Sequence, residues 1–134
     1  MITHHAALIY TMVLVSAADR EMTDRELRLI GEIIRVLPIF EDFPEDTLPQ
    51  VSAGCAKILG ETNGLEKVFA SIQAALTPKL RETAYALACD VAAADGQVNE
   101  EELLVLEMIR HRLNIERLAA AAIERGARAR FIRL

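Results

Sequence analysis

One helix–turn–helix pattern occurs twice in this chain, and that repetition limits the fold more than any other feature of the sequence. Shifted by 76 residues, positions 9–39 lie on positions 85–115, with nine identities over the 31 aligned places. Val15, Ala17, Ala18, Asp19, Glu26, Leu27, Ile33, Leu37 and Ile39 meet identical residues at Val91, Ala93, Ala94, Asp95, Glu102, Leu103, Ile109, Leu113 and Ile115. Each copy reads as an Ala-rich apolar helix, an Asp, a short turn with one apolar residue (Met22 or Val98), a cap and an amphipathic helix. Such a unit cannot bury its apolar faces alone, so the two copies are expected to pack on each other with pseudo-twofold symmetry.

The rest of the chain extends the same reading. Helices are expected at about 4–18, 24–37, 45–59, 64–76, 78–94, 100–113 and 116–129, which gives an all-α, compact bundle of about seven helices in a single domain spanning 1–134. The start signals are Thr23, Asn99, Asn63 followed by Glu66, and Thr77 before Pro78. Pro38 closes the second helix, and 41–49, with Pro44, reads as an irregular connector. Aromatic residues are only 4% of a sequence that is 52% hydrophobic, so the core must come from Leu, Ile, Val and Ala. Residues 6–18 mimic the apolar core of a signal peptide, but a similar segment recurs in mid-chain and no Lys or Arg precedes the first one. It is also short of the roughly 20 apolar residues that a membrane span needs. It reads as a buried helix.

Charge and cysteine usage narrow the function. Residues 117–134 hold Arg117, Arg125, Arg128, Arg130 and Arg133 against Glu124, a sum of +4 that leaves −9 on the rest of a chain whose net charge is −5. Nucleic acid is therefore not an expected partner of the whole chain. The Arg-rich end reads as cations complementing the dipole of the last helix. Cys55 and Cys89 sit in apolar helical patterns without the paired spacing of a zinc site, which favours free buried thiols and a cytoplasmic setting.

The most organised polar patterns are the two acidic turns. Thr23 with Glu26 has the spacing of a capping box, and Asn99 with Glu102 is its equivalent. Asp19 and Asp95 are expected to bond amides of their own turns, with Met22 and Val98 plugging each turn into the core. The same acids suggest a cation. Asp95-Gly96 through Glu102 matches the latter half of an EF-hand loop, but the first-half ligand positions fall on Val91 and Ala93, and on Val15 and Ala17 in the first copy. A calcium loop of that type is excluded. A composite site in which Asp19, Glu26, Asp95 and Glu102 share one calcium, magnesium or manganese ion stays open beside simple capping.

Nothing points to catalysis. Adjacent His4 and His5 diverge by about 100° on a helix and are expected to be solvated. No nucleophile–base pair is visible, and Gly54, Gly60 and Gly64 lack the spacing and the Lys of a phosphate loop. The chain is not expected to be an enzyme.

The Ala-rich helix ending in Ala94-Asp95-Gly96-Gln97-Val98 with Glu102 downstream, echoed by Ala17-Ala18-Asp19 with Glu26, resembles the TerB family of tellurite-resistance proteins. That family also supplies a domain to a membrane-anchored DnaJ-type co-chaperone. The resemblance runs from about 7 to 112. It implies a helical bundle with a cytoplasmic, stress-related and non-enzymatic role, either as a scaffold for protein partners at the inner membrane face or as an ion sensor. The family's acidic positions carry over to Asp19, Glu26, Asp95 and Glu102. The chain departs at Arg20, where the second copy has Gly96; that bulk makes the first turn less permissive and opposes a cation there.

Overall fold

Thirteen residues of nearly unbroken hydrophobicity form the first helix, and in the computed structural model they become the axis of the molecule. The structure describes residues 1–94 and 96–134. Helix α1 (His4–Ser16) is buried without interruption from Ala7 to Ser16. A helix that is apolar all round must be covered all round. α3 (Leu48–Leu59) and α4 (Gly64–Ala75) cover it on one side, and α5 (Pro78–Ala94) makes its most extensive contact. Ala84, Ala88 and Ala92 repeat every fourth residue of α5 and are all buried, so one face of small side chains lets helices approach closely.

The remaining helices sit outside this pair. α2 (Asp24–Arg35) touches α1, α3 and α5; α6 (Glu100–Arg112) packs on α1 and α5; α7 (Arg117–Arg130) lies along α5. Buried apolar residues from all seven helices join in one cluster. Among the described residues there is no strand, and no helix is long and apolar enough to cross a membrane.

The helix boundaries differ from expectation for identifiable reasons. α2 stops at Arg35 rather than 37, because Leu37 precedes Pro38 and is held extended at φ −99° and ψ 131°. A 3-10 turn, Pro38–Phe40, precedes the expected connector, which is irregular at 41–44 and then forms a second 3-10 turn, Glu45–Thr47, so α3 begins at Leu48 rather than 45. Pro49 then falls in its first turn, where a missing amide hydrogen costs nothing. Asn63 does precede α4, but in the left-handed region at φ 56°, and its side chain makes no capping bond. Glu66 pairs with Arg112 on α6 instead.

The two cysteines are free and buried. Burial pushes both thiols up to about 12, so they are protonated packing groups at neutral pH. His5 departs from the solvated role expected of it. Its ring stacks on Phe40 at 5.2 Å between centroids and meets Phe43 edge-on. Its Nε2 lies 2.7 Å from the Ile39 carbonyl oxygen, which can only accept, so Nε2 carries the proton.

Candidate functional site: the paired turns and the open face of α6

Both acidic turns are built by capping boxes. Thr23 is extended at φ −85° and ψ 165°, which aims its hydroxyl at the first turn of α2. The Glu26 amide donates to Thr23 Oγ1 at 3.2 Å, and Glu26 Oε1 accepts from the Thr23 amide at 2.9 Å and from its hydroxyl at 3.1 Å. Asn99 repeats the arrangement: its Oδ1 accepts from the Glu102 amide at 2.7 Å, while Glu102 Oε1 accepts from the Asn99 amide at 3.1 Å. Each cap is worth about 0.5–2 kcal/mol. The reciprocal bonds explain how two glutamates tolerate burial, with Glu26 at 9% exposure and Glu102 at 7%.

The two turns also touch each other. Asn99 Nδ2 donates to Asp19 Oδ2 at 2.9 Å, across 80 residues of chain. One amide side chain thus caps α6 with its oxygen and holds the opposite turn with its nitrogen. Asp19 was expected to bond amides of its own turn, and this contact corrects that expectation.

Arginines close both turns. Arg20 Nη1 donates to Glu26 Oε1 at 2.9 Å, so the residue that departs from the repeat supplies charge balance to the first cap. At the second turn Gly96 takes φ 83°, a backbone region that glycine enters without strain. Arg133 covers it: its Nη2 donates to the Ala94 carbonyl at 3.0 Å, and the guanidinium sits 3.5 Å from where a Cβ on Gly96 would stand. Part of the Arg-rich end is therefore used internally, at the end of α5 as well as on α7. Arg130 likewise pairs with Asp90.

For the proposed composite ion site the outcome is divided. Asp95 lies outside the described residues. Of the other three acids, Asp19 is drawn to the second turn, while Glu26 and Glu102 are turned into their own caps. Among the described residues, no three His, Cys, Asp or Glu side chains gather closely enough to hold a metal ion. Positions Val91 and Val15 are helical and buried, which agrees with the exclusion of a calcium loop.

A second feature escaped the sequence reading. Met22 packs against the core as expected, but its counterpart Val98 is 38% exposed. Leu103 and Leu104 next to it on α6 are 54% and 58% exposed. In the first copy the equivalent positions are Leu27, which packs on the core, and Arg28, and α2 is contacted there by α3. No helix covers the second copy in that way, since α6 and α7 touch at most marginally.

The result is an open groove of about 560 Å³ with α5 as its floor and α6 and α7 as its walls. Tyr85, Cys89 and Ala92 line the floor, Leu103 and Leu106 one wall, and Ala120, Ala121 and Ala127 the other. Tyr85 donates to Glu124 Oε2 at 2.5 Å, and burial together with that carboxylate pushes the phenol far above its ordinary value. The signal in the sequence was the order Glu100, Leu103, Leu104, Glu107, Arg110 at helical spacing, which leaves two leucines on a face otherwise charged.

A family model described as Tellurite resistance protein TerB matches residues 5–125. No curated protein and no solved structure matches the chain.

Proposed function

The chain belongs to the TerB family of tellurite-resistance proteins, and we propose that within that setting it is a non-enzymatic protein-interaction module whose working surface is the open face of α6. The observation that carries this reading is the exposure of Leu103 and Leu104 beside the groove over α5. Two half-exposed leucines on a well-packed helix lose apolar burial in the free chain, and a partner that covers them recovers it. Asp19, Glu26 and Glu102, by contrast, are engaged in holding the helices. The reading sets the module in the cytoplasm with a protein partner, and leaves any association with the inner membrane face to that partner.

The test is photo-crosslinking in cells challenged with tellurite, with a benzophenone side chain introduced at Leu104 or, for comparison, at Arg28. Position 104 should yield a discrete crosslinked product that disappears when Leu103→Glu is added, and position 28 should not yield that product. Equal patterns from both positions, or none from 104, would overturn the reading.

A second reading, a divalent-cation module, draws support from the Asp19–Asn99 contact, because it brings the two acidic turns together. Against it stands Arg20, which places a positive charge on Glu26 in the same region.

A further inference from the structure

If the open face of α6 is a docking surface, its charge order says what docks there. Along α6 the exposed stripe runs Glu100, Leu103, Leu104, Glu107 and His111, with the half-buried Arg110 at its edge. It is acidic at Glu100, carries the two leucines followed by Glu107 in its middle, and ends on the cation Arg110. Arg117, at the adjoining start of α7, adds to the basic end. Away from the chain termini, every exposed large apolar residue but Val36 belongs to the segment from Val98 to Leu118.

We infer that this face pairs with a second copy of itself, the two α6 helices lying antiparallel about a twofold axis. An isologous contact requires a surface complementary to itself under that rotation. Here the rotation sets Glu100 of each copy beside Arg110 of the other, twice over, and covers Leu103 and Leu104 in both, with the stem of Glu107 of the other copy lying over Leu104. The span from Glu100 to His111 is about 16 Å at 1.5 Å per residue, long enough to separate the two charged ends by more than a Debye length. A uniformly acidic or uniformly basic partner would meet repulsion at one end of the stripe. A second copy meets attraction at both. The inference rests on the interaction reading and names its partner.

Sedimentation equilibrium of the full chain tests it. The mass should rise from 14.8 kDa toward twice that value with increasing concentration, and Leu103→Glu with Leu104→Glu should keep the chain monomeric throughout. The charge ends offer a sharper arm. Glu100→Lys alone and Arg110→Glu alone should each weaken self-association at least tenfold, since each sets like charges opposite one another. Mixed together, the two variants should form a heterodimer, because every unlike pair is then restored. Circular dichroism and melting of each variant check that these substitutions, all exposed but for the half-buried Arg110, leave the fold intact.

A wild-type chain that is monomeric at every concentration would overturn the inference. So would a dimer indifferent to the leucine changes, or variants that fail to pair when mixed. A monomer whose position 104 still crosslinks to a different protein would remove the self-pairing and spare the interaction reading.

Discussion

Gly64→Ala should destabilise the chain by about 3 kcal/mol or more, a large effect for the addition of one methyl group. The connection between α3 and α4 is tight: Asn63 is left-handed at φ 56°, and the Gly64 amide donates to the Glu61 carbonyl at 3.0 Å. A Cβ on Gly64 would stand 2.2 Å from the Ile58 carbonyl oxygen and 2.7 Å from that of Leu59. Both obstacles are backbone, so no side-chain rotation relieves the clash, and the end of α3 or the start of α4 must move. For a domain of this size the loss corresponds to a drop in Tm on the order of 10 °C. Gly31→Ala is the internal control. That residue lies inside α2, and an added Cβ meets Leu48 Cδ2 at 3.5 Å and Glu45 Oε1 at 3.9 Å, both ordinary contacts with side chains. Alanine there should be neutral or stabilise by up to about 1 kcal/mol, as expected for a helix interior. Equal effects at the two glycines in urea unfolding would show that the α3–α4 approach is looser than described.

Phe69→Ala should cost about 3–5 kcal/mol, the range for removing a fully buried aromatic ring. Phe69 is 0% exposed, in a chain with only four Phe. Its ring also supports a polar clip between α4 and α6. The Arg112 guanidinium lies over it at 4.8 Å from the centroid while its Nη1 donates to Glu66 at 3.0 Å, and Gln73 Nε2 donates to the Arg112 carbonyl at 2.7 Å. Removing the ring takes away core volume and the surface on which that arginine rests. Phe69→Leu keeps most of the volume and should cost markedly less, so thermal or urea unfolding of the pair separates packing loss from general intolerance at the site. A Phe69→Ala loss below about 1 kcal/mol would contradict the assignment of this ring to the core.

How much of this was legible in the sequence depended on the range of the interaction. Local chemistry read correctly. An unbroken apolar segment around Leu8 and Val13 had to be buried, Thr23 with Glu26 and Asn99 with Glu102 had the spacing of reciprocal caps, and Pro78 opened α5 as a first-turn proline can. What failed was set by neighbours distant in the chain. Asp19 looked like a residue serving its own turn, but its partner, Asn99, arrives only through the packing of α1 against α5. His5 looked solvated because Phe40 and Phe43 reach it from the segment that follows α2, more than 30 residues along the chain. Asn63 with Glu66 had cap spacing, yet the close approach of Gly64 to the end of α3 forces Asn63 into a left-handed conformation, and its side chain does not cap. Val98 was equated with Met22 because the repeat aligns them. Repetition of sequence does not repeat surroundings: α3 covers the first unit, while α7 lies away from α6 and leaves Val98 and Leu103 exposed.

The division of labour proposed for this chain gives the acidic turns to structure and the α6 face to partners. A melting curve of metal-stripped protein, with calcium, magnesium and manganese added in turn, tests that division directly. A ligand that binds the native state alone raises Tm in a saturable way. With Glu26 and Glu102 turned into their caps and Asp19 held by Asn99, no saturable shift is expected from any of the three ions. A saturable rise with one of them, abolished by Asp19→Asn, would contradict the account and make the junction of the two turns a cation site.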